Sequence, residues 1–204
     1  MMSRILSSLI VFTLILTACS STRMTNTWKD SSYSAGYLNN VLVLCSESNS
    51  AATRTFEDTF VSRLQAMGIK ATPGYQVVPQ GQTLNEPQLT SLIQSQGYQY
   101  VLVSKVKSVE TKTEQVAGAV YDPGMYNTYY GGGAGSAPFA PSSTIKFNIA
   151  TLESKVYTVQ NAKVIWVGQS KSFDPHASAN YVNGVISTIL DGLAKDNLIP
   201  TVKQ

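Results

Sequence analysis

Few residues in this chain are of types that carry chemistry. Two cysteines and one histidine occur among 204 residues. His176 stands in Phe173-Asp174-Pro175-His176-Ala177-Ser178. A metal site of the usual kind needs several His, Cys or carboxylate ligands converging, and none are spaced for it here. Pro175 instead reads as a turn into a last helix, with Asp174 or Ser178 as its cap. Glu57 and Asp58 are neighbours, so on a helix they point about 100° apart and cannot form a facing acid pair. They are expected to engage Arg54 and Arg63, or to complement the helix dipole. The chain has neither a G-x-S-x-G elbow nor an H-E-x-x-H pair, and its glycines lack the spacing of a nucleotide cradle. The sequence predicts no catalytic residue, no metal and no cofactor: the chain reads as a non-enzyme.

The thiol with a predicted role is Cys19. Arg4 precedes an apolar core from Ile5 to Leu16, and the small residues Thr17 and Ala18 follow. That is the layout of a secretory signal, with a charged start, a short apolar core and a small-residue processing site. About a dozen apolar residues is too few for a bilayer, which takes about twenty. Leu16-Thr17-Ala18-Cys19 resembles a bacterial lipobox, which implies cleavage after residue 18 and acylation of Cys19. Three fatty chains, palmitate among them, would then make a permanent anchor, since two signals already suffice for stable attachment. Ser20 follows the cysteine, and similarity to enterobacterial sorting patterns implies the outer membrane, with the domain facing the periplasm. Cys45, at the end of the apolar run Asn40-Val41-Leu42-Val43-Leu44-Cys45, is then unpaired and reads as a small buried hydrophobe. The mature domain is expected to hold no internal disulfide.

The remainder is long enough for one domain with its own core. The net charge of the full chain is +3, from 15 basic and 12 acidic residues. The basic residues are not clustered, which excludes a nucleic-acid footprint. Residues 19–36 are polar and turn-rich and are expected to be a lipidated tether, although Trp28 and Tyr33 should pack on the domain edge. Residues 37–204 then read as a single α/β domain. Val41–Cys45 suits a buried strand. A helix follows, with Phe56, Phe60, Leu64 and Met67 on one face and Gly68 as its stop. Ile69–Pro79 reads as a strand interrupted by a turn. The next helix is expected to be capped by Asn85 and to end at Gly97. Two long strands and a third follow, the last two joined by a Gln160-Asn161 turn. The closing helix should bury Val182, Val185, Ile186, Ile189, Leu190 and Leu193. The expected order is β-α-β-α-β-β-β-α: a mixed sheet of about five strands with helices packed on it.

Four stretches together resemble a family of uncharacterised Gram-negative outer-membrane lipoproteins: "TWKDSSYS", "RTFEDTFVSRLQAMGIKA", "KVYTVQNAKVIWVGQS" and "DGLAKDNLI". At the level of fold the chain is similar to the N-terminal part of TolB, to the curli secretion lipoprotein and to lipoprotein activators of penicillin-binding proteins. The resemblance implies an α/β domain and no known activity.

One segment departs from the rest. Residues 118–143 carry Tyr121, Tyr126, Tyr129, Tyr130 and Phe139 among many Gly, Ala, Ser and Pro. So long a connection without periodicity is either functional or disordered. Exposed Tyr suits contact with a protein partner or with a membrane interface; the alternative is a hairpin tip folded on its own sheet. The expected function is a non-catalytic interaction module of the envelope, contacting the bilayer through Cys19 and an envelope protein through this loop. A subunit of an oligomeric secretion assembly is the alternative, and a cell-wall enzyme the remotest one.

Overall fold

Six strands and three helices are present in a computed structural model that describes residues 22–46, 50–78, 86–116, 143–173, 175 and 179–201. The strands are β1 (Thr22–Lys29), β2 (Val41–Ser46), β3 (Ala71–Pro73), β4 (Tyr100–Val116), β5 (Ser143–Thr158) and β6 (Val164–Phe173); the helices are α1 (Ser50–Ala66), α2 (Glu86–Ser95) and α3 (Ala179–Lys195). They form one sheet in the order β1-β6-β5-β4-β2-β3. β2 lies parallel to β3 and β4, while β4, β5, β6 and β1 run antiparallel to one another. The mixed α/β class read from the sequence is therefore the fold.

The sixth strand comes from a segment expected to be tether. From Thr22 onward the chain is β1, an edge strand paired with β6 from Thr22↔Ser172 to Lys29↔Trp166. "TRMTNTWK" hides its strand character because it borders the sheet: only Thr22 is fully buried and Met24 partly so, while the other side chains are polar or face solvent. A bulge between Met24 and Asn26 further breaks its alternation. Beyond it Tyr33 does pack on the domain, edge-on to Tyr100 with centroids 6.3 Å apart. Trp28 does not; it is half-exposed.

The main core lies between the sheet and the pair α1 and α3. Phe56, Phe60 and Leu64 of α1 and Val185, Ile186, Ile189, Leu190 and Leu193 of α3 meet Val41, Val43, Leu102, Val156 and Trp166 of the sheet. Each such side chain contributes roughly 1.5–3 kcal/mol by leaving water. Both helices end with a reversed residue whose neighbour caps them. Gly68 (φ 79°) lets Ile69 N–H bond the Leu64 carbonyl, and Asn197 (φ 55°) lets Leu198 N–H bond that of Leu193. On the opposite face α2 covers only β2 and the start of β4, around Leu42, Ile93, Val101 and Val159. Among the described residues, nothing else covers that face.

Candidate functional site

Two of the residue sets named from sequence lie outside the described residues: Cys19, and the tyrosines Tyr121, Tyr126, Tyr129 and Tyr130 with Phe139. So do Asp174, His176 and Ser178. The described residues carry no group of three or more His, Cys, Asp or Glu able to hold a metal ion.

Several of the described carboxylates are occupied by the fold itself. Glu57 is buried, and it does not meet Arg54 or Arg63 as expected. Its Oε1 accepts the Cys45 N–H at 2.8 Å and its Oε2 accepts the Tyr75 N–H at 2.9 Å. The side chain thus ties α1 to the end of β2 and to the turn after β3. Burial pushes its pKa up, against the backbone N–H groups that pull it down. Asp58 instead accepts the Tyr75 hydroxyl at 2.7 Å, Arg54 lies over the Tyr75 ring, and Arg63 donates to Ser187 of α3 at 2.6 Å. Asp196 accepts the Trp166 indole N–H at 2.7 Å. Asp30 bonds the backbone and hydroxyl of Ser32 and the Lys163 ammonium, and this Lys163 contact, with the Ser32 bonds, holds its pKa down at about 2. Sequence reasoning missed Glu57 and Asp196 as structural acceptors, because their partners come from distant elements and leave no local signature.

Trp166 is a core residue. Its side chain is fully buried on the helix-covered face, and Gly168 of β6 and Gly192 of α3 leave the room it occupies. A Cβ on Gly192 would stand 3.2 Å from Trp166 Cζ2 and 2.8 Å from Met24 Cε. Gly192, a poor helix former, is what lets α3 approach β1 and β6.

What remains available to a partner is the open sheet face and its borders. At its centre Glu153 of β5 receives Lys155 at 2.9 Å, Lys107 at 3.4 Å and Gln169 at 3.2 Å. The Lys155 contact first, then the Gln169 and Lys107 bonds, hold its pKa down. At one end Phe147 and Phe173 stand 6.1 Å apart, with the Arg23 guanidinium 5.5 Å over the Phe173 ring. Ile145 is half-exposed beside them. At the other end a small apolar pocket of about 180 Å³ opens between α2 and the sheet, lined by Leu44, Ile93, Val101, Val103 and Tyr157. Along the free edge of β1, a groove of about 540 Å³ runs against Thr188, Asp191 and Lys195 of α3.

Among solved structures, the chain is similar to PelC of Paraburkholderia phytofirmans, crystallised as a dodecamer. A variant of that protein is 13% identical over 85% of this chain and 98% of its own, at a TM-score of 0.46. A second crystal form is 14% identical over 90% and 98%, at 0.44. Lipoprotein GNA1162 of Neisseria meningitidis is 13% identical over 77% of this chain and 99% of its own, at 0.41. No family model and no curated protein matches the chain. Likeness at this level transfers no function.

Among the described residues no helix is long and apolar enough to cross a membrane. The open face of the long β4–β5 hairpin is not uniformly apolar either. Ile145, Phe147 and Ile149 pair with Glu114, Lys112 and Glu110, and paired residues share a face. Three charges beside that apolar row suit the headgroup layer, where their cost falls toward zero, rather than the bilayer midplane.

Proposed function

We propose that the protein is a lipid-anchored lipoprotein of the outer membrane whose α/β domain is a non-catalytic interaction module facing the periplasm. The observation that carries the reading is Leu16-Thr17-Ala18-Cys19 directly behind an apolar run too short to span a bilayer. The occupation of Glu57, Asp30 and Asp196 by fold-internal hydrogen bonds supports the non-catalytic part. The open sheet face and the tyrosines of residues 118–143 are the surfaces offered to an envelope partner.

The test is metabolic labelling with palmitate together with membrane fractionation, for the natural chain and for Cys19→Ala. The natural chain is expected to carry label and to fractionate with the outer membrane, and Cys19→Ala to lose both. Label retained by Cys19→Ala would refute Cys19 as the anchor. A photoreactive residue at Tyr129 of the anchored protein is expected to capture one envelope protein reproducibly. Capture of nothing would remove the loop as the contact and leave the sheet face around Glu153.

A further inference from the structure

The end of the open face next to β1 carries Ile145 and Phe173, two of the five exposed large hydrophobic side chains among the described residues, and is also where the chain leaves for Cys19. Thr22 pairs with Ser172, so the strand enters beside Phe173. Three residue steps separate Thr22 from Cys19, and an extended chain spans at most about 3.3–3.6 Å per residue. An acylated Cys19 therefore holds Thr22 within about 11 Å of the lipid surface. So short a lead keeps this end of the domain beside the lipid surface.

We propose that the surface formed by Arg23, Lys171, Phe173, Ile145, Phe147 and Ile149 rests on the bilayer as a second membrane contact, laid into the headgroup layer beside the acyl anchor. The inference rests on the lipid-anchor reading above. Pairing brings the six residues together: Arg23 lies opposite Lys171, Lys171 opposite Thr151, and Phe173 opposite Ile149. Strands about 4.8 Å apart and a rise of about 3.4 Å per residue place them all within roughly 20 Å of Thr22. Phe173 is 39% exposed and Ile145 is 49% exposed. Their chemistry matches an interface. Aromatic and aliphatic groups enter the boundary between headgroups and acyl chains, while Arg and Lys keep their charge among the phosphates. Arg23 already stacks on Phe173, which orders the cation over the ring.

The same face also carries acids. Glu110 pairs with Ile149 and Glu114 with Ile145 on β4, the strand farther from the anchor, and Glu110 is bonded to Lys112 at 3.2 Å. They set the depth of the contact. The β1–β6–β5 side meets the headgroups and the β4 side tilts away, so the hairpin lies on the membrane without crossing it.

The test uses the full, lipidated chain in vesicles of phosphatidylethanolamine and phosphatidylglycerol that contain acyl-brominated lipid. An environment-sensitive fluorophore is attached through Phe173→Cys, and in a second protein through Ile145→Cys, each with Cys45→Ala. Gln76→Cys, exposed at the opposite edge of the sheet, is the control. Both patch probes are expected to be quenched at least twofold, with the control unchanged. Flotation with the vesicles reports the anchor separately. Protein that floats with unquenched patch probes overturns the second contact and leaves the anchor standing. Protein that fails to float overturns both. Patch probes shielded from water but untouched by bromine mean that a second copy or another protein covers this face, and that too overturns the proposal.

Discussion

Replacing Gly168 by Ala tests whether the fold is built around Trp166. Gly168 is a mid-strand glycine without a positive φ. By backbone preference alone, Ala should therefore stabilise the strand by roughly 0.5–1 kcal/mol. The structure predicts the reverse. A Cβ at position 168 would lie 2.8 Å from Cζ2 and 2.9 Å from Cζ3 of Trp166, and closer still to Cη2. The indole is fully buried, so the ring cannot swing into solvent. It has to shift within the core, against α3, at an overpacking cost of about 1–3 kcal/mol. Shifting also strains the 2.7 Å bond from its N–H to the Asp196 carboxylate, and bonds to charged groups are worth about 1.5–3 kcal/mol. The crowding exceeds the propensity gain, for a net loss of about 3 kcal/mol. In a chain of this length that lowers the unfolding midpoint by roughly 6–12 °C. Urea unfolding followed by far-UV circular dichroism measures the loss. Trp166→Phe removes the second ring, so Gly168→Ala introduced beside Trp166→Phe should cost at least 1 kcal/mol less than it does alone. A neutral or stabilising Gly168→Ala, or costs that simply add, would refute the packing argument.

Two further predictions concern the buried acids. Glu57→Ala takes away the acceptor that the Cys45 and Tyr75 N–H groups share; at about 1–3 kcal/mol per buried donor, the expected loss is near 3 kcal/mol in the same unfolding assay. An unchanged midpoint would show that Glu57 does not join α1 to the sheet. Asp30 has its folded pKa depressed from 3.8 to about 2, so its stabilising contribution is fully present above the unfolded value and is lost as pH falls through the folded one. The difference in stability between the natural chain and Asp30→Asn should therefore be constant above about pH 5 and shrink between pH 4 and 2. A difference that grows on acidification contradicts the assignment.

The sequence by itself settled the parts whose signal is local. The continuous apolar run at Val41–Cys45 marked a strand buried on both faces, and the 3.6-residue spacing of Phe56, Phe60 and Leu64, and of Val185, Ile186, Ile189, Leu190 and Leu193, marked helices with one apolar face. Gly68 marked its helix end for a backbone reason equally local. The address proposed at Cys19 rests on an equally local signal, a short linear segment that lies outside the described residues. Tertiary structure alone decided β1, whose polar edge sequence becomes a strand only through its hydrogen bonds to β6. It alone assigned Glu57 to the N–H groups of Cys45 and Tyr75, made Gly168 and Gly192 a slot for Trp166, and set Arg23 over Phe173 beside the entry of the chain. Apart from Gly168 and Trp166, neighbours on one face of β6, these contacts join residues from 12 to roughly 150 positions apart, and no periodicity or spacing encodes such a pairing. They exist because folding brings together edges, donors and rings that each remain incomplete in the isolated segment.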